Sequence, residues 1–101
     1  MENTNLIDQE QAFEESKEKI FELLEEKKYF RCRDELLKFN AVDIAELLEE
    51  VMRKYSMQTA IILFRTLPKG ASVEVFAHFD VDDQVEIINI ITDPEIKYII
   101  E

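Results

Sequence analysis

The chain has 101 residues, 47% of them hydrophobic, enough for one domain with a modest core and too few for two ordinary ones. A single glycine, Gly70, and two prolines, Pro68 and Pro94, are too few turn formers for a sandwich or barrel built on tight reversals, so the composition points to helices. With 23 acidic residues against 12 basic ones the net charge is -11, which argues against nucleic acid as a partner because a phosphate backbone has to be neutralised by Lys and Arg.

In chain order, Asp8 followed by Gln11 resembles a capping box, and Phe13, Ile20, Leu23 and Leu24 then recur near helical spacing, which predicts a first helix from about Asp8 to Lys27. Residues 1–28 thus form an acidic leading segment of charge -5. Tyr29 to Phe39 reads as a shorter helix ending at Asn40. Asn40 is then the N-cap of "AVDIAELLEEVMRKY", with Val42 or Ala41, Ala45, Leu48, Val51 and Met52 on one side and Glu46, Glu49 and Glu50 on the other. Arg53 and Lys54 near its end suit the helix dipole. From Ser56, Met57, Ala60, Ile61, Phe64 and Leu67 mark a further helical face, which Pro68 stops. Phe30, Phe39, Phe64, Phe76 and Phe79 sit at core spacing and are expected inside.

The chain repeats itself. Ile44, Ala45, Leu47 and Leu48 return 28 residues later as Ser72, Val73, Val75 and Phe76, and 24 residues after that as Ile96, Lys97, Ile99 and Ile100, with Ser72 and Lys97 as imperfect matches. Such a period suits a helix-turn-helix unit. It also decides between two readings of "HFDVDDQVEIINIITD", His78 to Asp93, as a cation loop feeding a strand or as the start of a helix. Asp80 to Thr92 falls in the slot of Ser56 to Leu67, so the stretch is helical, capped by Asp80 with Asp83 three residues on, and Val85, Ile87, Ile88 and Ile91 are expected to form its buried face. An EF-hand loop starting at Asp80 would need Gly at its sixth position and Glu at its twelfth, and these are Val85 and Ile91. Asp80, Asp82 and Asp83 are therefore read first as helix-start acids, with a weak cation contact as the other reading.

One His, one Cys and one Gly exclude a cysteine or histidine zinc site, an assignable Ser-His-Asp or Cys-His arrangement and a Gly-rich phosphate loop, and no carboxylate pair is singled out for acid-base work. No enzyme is indicated. His78 reads as a half-buried helix residue, and Cys32, which has no cysteine to pair with, as a structural thiol in keeping with a reducing compartment. The longest apolar runs, such as Ala60 to Phe64, fall far short of the roughly 18 to 20 residues that cross a bilayer, and "MENTNLIDQEQ" lacks the basic-then-apolar layout of a signal peptide. The chain reads as soluble and cytosolic, with no insertion into a membrane. Residues 29–69 sum to +1 and residues 70–101 to -7, so the acidic ends are where cations or basic surfaces would be met.

From about Leu37 onward, roughly two thirds of the chain, the sequence resembles the cytoplasmic N-terminal domain of the MgtE family of bacterial magnesium channels. The blocks that carry the resemblance are "DIAELLEE" at Asp43 to Glu50, "LPKGASVEVF" at Leu67 to Phe76, "FDVDDQ" at Phe79 to Gln84 and "ITDPEIKYII" at Ile91 to Ile100. The resemblance implies an all-α fold, a short right-handed superhelical repeat of helix hairpins of the armadillo or HEAT kind over residues 29–101, preceded by the variable acidic helix of residues 1–28. It further implies a homodimeric full-length protein at the cytoplasmic face of the bacterial inner membrane, in which a pair of CBS domains, a connecting helix and a membrane pore follow. There the N domain senses Mg²⁺: ions held between its acidic face and the CBS domains favour a compact state with the pore shut.

One family ligand carries over, the acid of the "A-x-x-E-V" stretch, onto Glu74. The other acids of that interface site would lie past Glu101, so metal binding by this chain alone is expected to be weak. A second reading is a protein-interaction scaffold of the flagellar rotor-switch type, with similar "LPPE-A-A-x-V" blocks, and a third is a stand-alone acidic helical protein. "PEIKYIIE" ends inside an apolar helix with no C-cap, which reads as a cut. A cut solenoid exposes the core face of its last unit, and concentration-dependent self-association is expected from that.

Overall fold

The structure, a computed structural model, describes the backbone of residues 2–92 and the side chains of residues 8–92. The described residues form six helices and no strand: α1 (Glu2–Glu25), α2 (Tyr29–Leu36), α3 (Ala41–Lys54), α4 (Met57–Thr66), α5 (Lys69–Ala77) and α6 (Val81–Thr92). The expected helix at "PEIKYII" and the expected ending at Glu101 lie outside the described residues.

Local chemistry explains the boundaries. The Asn40 side chain accepts from the Asp43 N–H at 2.9 Å and the Ser56 hydroxyl from the Thr59 N–H at 3.1 Å, so two of the predicted caps form as read. Leu67 is extended, at φ -70° and ψ 145°, as the residue before a proline prefers, and Pro68 then stands at the start of α5. α1 begins at Glu2 rather than Asp8. It is closed by Lys27 in the left-handed region, φ 57°, with Lys27 N–H donating to Leu24 O at 3.0 Å and Lys28 N–H to Leu23 O at 2.9 Å. α2 stops at Leu36, earlier than predicted, because Phe39 N–H turns back onto Leu36 O at 3.1 Å.

The helices pair as α1 with α2 and α3 with α4, and they stack so that α2 meets α4, α3 meets α5 and α4 meets α6. The core between them holds Ile20, Cys32, Leu36, Leu47, Leu48, Val51, Ile61, Leu63, Val75 and Ile87. Phe64, Phe76 and Phe79 meet as a cluster with ring centroids 5.8 to 6.2 Å apart, within the range where tilted and edge-on rings attract. Cys32 is sealed in this core, its Sγ 3.7 Å from Ile20 O, and burial pushes its thiol up to about 11, so it packs as an inert side chain.

Several expected positions are corrected. Phe30 is 66% exposed rather than in the core and lies under the Arg33 guanidinium, 5.2 Å from the ring centroid. The inward residues of α2 are Cys32, Glu35 and Leu36, spaced three and four apart, and Phe30 lies about 200° round the helix from Cys32. His78 is exposed at the C-cap of α5 and not half-buried. On α3 the open choice between Val42 and Ala41 falls to Ala41, which is half-buried while Val42 is exposed. On α6 the seam that packs inward is Ile87 and Ile90, with Ile91 half-buried, while Val85 and Ile88 are exposed.

Glu35 is the one charged residue buried among the described residues. It is matched by three donors: Lys19 Nζ and Lys38 Nζ, each 3.0 Å from Oε1, and the Ser16 hydroxyl, 3.3 Å from Oε2. Burial pushes the Glu35 carboxyl up, but the two ammonium groups together outweigh it and hold the group below the usual carboxylate range. A carboxylate whose pKa is lowered by folding adds stability above its unfolded pKa and loses it as pH falls through the folded one. Both lysines are mostly exposed and can turn to water, so Glu35→Ala is expected to cost only about 1.5 kcal/mol at neutral pH. Urea unfolding checks this: a difference from the parent that fails to shrink on acidification would show that the ion pairs are not its source.

Candidate functional site: a carboxylate group between α3 and α6

The buried side of α3, Ile44, Leu48 and Val51, leaves Glu46, Glu49 and Glu50 turned away from the core. α5 is nine residues long and carries the chain back so that Phe79, buried, anchors the entry to α6. Gln84 Nε2 donates to Phe76 O at 2.8 Å and ties the first turn of α6 to the end of α5. Those constraints set Asp80 and Asp83 against Glu49. The Asp80 N–H donates to Glu49 Oε2 at 3.3 Å, across 31 residues of sequence, and one carboxylate oxygen from each of Glu49, Asp80 and Asp83 lies within 4.8 Å of the others.

The electrostatics follow from that crowding. Partial burial pushes the Glu49 carboxyl up, the neighbouring carboxylates of Asp83 and Asp80 raise it further, and the Asp80 N–H opposes them. At 4.8 Å two carboxylates repel by about 1 to 3 kcal/mol for effective dielectrics of about 80 to 20. Such a group has two ways to relieve the repulsion, by taking up a proton or by holding a cation. Three hard oxygen donors suit Mg²⁺ or Ca²⁺ far better than thiophilic metals, and Mg²⁺ in particular binds through one or two carboxylates while keeping several waters.

Glu74, the ligand implied by the resemblance, is exposed on α5 and outside this group, as is Asp82 on α6. Asp80 and Asp83, read from sequence first as helix-start acids, are brought together with Glu49, which the sequence places on the polar side of α3. The spacing of Asp80 and Asp83 was a local signal. Nothing local pairs them with Glu49. A second acidic concavity lies between α1 and α3, where Glu10, Glu14, Asp43 and Glu46 surround Phe13. No described helix is long and apolar enough to cross a membrane.

The described residues thus make an all-helical domain with a group of three carboxylates on its charged side. The chain belongs to the family of the MgtE intracellular N domain, whose model matches residues 39–101, the greater part of its length. Comparison with curated proteins and with solved structures gave no match.

Proposed function

We propose that this domain is the magnesium-sensing, regulatory part of a magnesium transporter, on the cytoplasmic face of the membrane. In this reading the stacked hairpins wind as a right-handed superhelix, and their acidic face is drawn by Mg²⁺ against the CBS domains of the same polypeptide within a homodimer. Ion occupancy then biases the pore toward its closed state. The observation that carries the proposal is the Glu49, Asp80 and Asp83 group, whose mutual repulsion a bound cation would relieve. A domain with two arrangements that bind the ion unequally is a switch. Glu74 is exposed on α5, as a ligand to an ion shared with a second domain has to be.

The expected result on adding millimolar Mg²⁺ to the 101-residue chain is a set of amide shift changes centred on Glu49 and on residues 80–83, saturable and absent in Asp83→Asn. Changes spread evenly over all the acidic residues, or the same response in Asp83→Asn, would mean general screening and not a site. In the longer polypeptide with its CBS pair, scattering is expected to report compaction on adding Mg²⁺, and an unchanged profile would overturn the gating part of the proposal.

A further inference from the structure

One stretch of this acidic chain is basic. Residues 27–38 hold five of its 12 basic residues against two acidic ones, a net charge of +3, whereas residues 1–26 and residues 70–101 sum to -7 each. The stretch is the turn from α1 into α2, α2 itself and the turn that follows, and it lies ahead of residues 39–101, outside what the family match accounts for. Phe30, Arg33 and Leu37 are spaced three and four apart, which sets them on one side of α2, away from the buried Cys32 and Leu36. Phe30 and Leu37 are 66% and 41% exposed. The Arg33 guanidinium stacks on the Phe30 ring, a contact that a guanidinium keeps while its N–H groups meet a phosphate. Lys27 and Arg31 are exposed and make no ion pair among the described residues, and Lys28 and Arg33 pair only with the exposed Glu26 and Asp34, at 3.0 and 3.2 Å. Pairs of that kind are worth little and exchange for another anion.

We propose that this patch rests on an anionic membrane surface, with Phe30 at the level of the headgroups and Lys27, Arg31 and Arg33 against lipid phosphates. An exposed aromatic ring among basic side chains suits such an interface, where apolar burial and attraction to anionic lipid add. At physiological salt, charges further than about 8 Å away are largely screened, so the local +3 and not the total of -11 meets the surface. A long nucleic acid would run on from the basic stretch into acidic segments, whereas a plane meets only the side turned towards it. An acidic protein partner fits less well, because two apolar side chains fall far short of the roughly 800 Å² a side that a specific protein interface buries. Only the place beside a membrane is shared with the function proposed above: the patch is on α2 and the carboxylate group between α3 and α6, so either can fail while the other holds.

The chain has no Trp, so Phe30→Trp puts a single reporter in the patch and keeps an aromatic ring there. In Mg²⁺-free buffer at physiological salt its emission is expected to shift to the blue with phosphatidylglycerol vesicles and to be quenched by brominated acyl chains, while phosphatidylcholine vesicles leave it solvent-like. Sedimentation of the parent chain with phosphatidylglycerol vesicles is the second measurement, and the partition constant is expected to fall about tenfold in Phe30→Ala and in Arg31→Glu. Lys69→Glu makes the same charge change at an exposed position on α5 and is expected to bind as the parent does. All these positions are exposed, so the fold tolerates the changes, and unchanged circular dichroism confirms it. Emission that phosphatidylglycerol leaves solvent-like, an equal shift with phosphatidylcholine, or equal losses in Arg31→Glu and Lys69→Glu would overturn the proposal. A blue shift with a polyglutamate peptide and none with vesicles would overturn it in favour of an acidic protein surface.

Discussion

Leu48→Ala is expected to cost about 3 to 4 kcal/mol, a large part of the roughly 5 to 15 kcal/mol that keeps a domain of this size folded. Leu48 is 0% exposed near the middle of α3, the helix that packs on both α4 and α5, so the lost side chain leaves a cavity that several elements would have to collapse to fill. Alanine's better helix propensity returns only a few tenths of a kcal/mol. A paired control on the same helix is Val42→Ala, at an exposed position, expected within about 0.5 kcal/mol of the parent. Urea unfolding separates them, since a midpoint shift at constant m-value is a change in stability. A Leu48→Ala midpoint no further from the parent than that of Val42→Ala would mean that α3 is not the centre of the core.

Much of the fold was legible because caps and periodicity act locally. Asn40 and Ser56 are followed three residues on by the amides they accept from, and no tertiary contact is needed to make that pairing. The failures share a cause that is not local. An apolar run such as "VEIINII" offers isoleucine or valine on more than one side of the helix, and which side is buried depends on which neighbour arrives, here α4 against Ile87 and Ile90. On α2 the ordinary expectation, aromatic in and carboxylate out, is reversed between Phe30 and Glu35. The reversal depends on Lys19 from α1, supplied by a different element, together with Lys38, three residues on from Glu35. The carboxylate group was half legible: Asp80 and Asp83 at the start of a helix can be read from spacing, whereas Glu49 joins them only through the length of α5 and the anchoring of Phe79. The fold makes that connection, and no local pattern in the sequence marks it.

The effect that bears most on function is expected at Glu49. If the group binds Mg²⁺ only when folded, the parent chain gains about 2.7 kcal/mol of stability at an ion concentration of about 100 Kd, and Glu49→Gln loses most of that gain. Without the ion the order reverses. Glutamine keeps an oxygen to accept from the Asp80 N–H but removes a charge from the repelling group, so the variant is expected to be the more stable by about 1 kcal/mol at neutral pH. The pH dependence has a definite sign. A carboxyl whose pKa is raised by folding contributes stability that is full below its unfolded pKa and lost as pH rises through the folded one, so the ion-free parent falls relative to Glu49→Gln as pH rises over that window. Mg²⁺ competes with protonation of Glu49, whose carboxyl is raised, so its affinity rises over the same window. Thermal melts of the two proteins across pH, with and without Mg²⁺, measure all three signs. An equal Mg²⁺ response in both proteins would remove Glu49 from the site, and a parent that gains on the variant with rising pH in the absence of the ion would mean that Asp80 and Asp83 do not repel it.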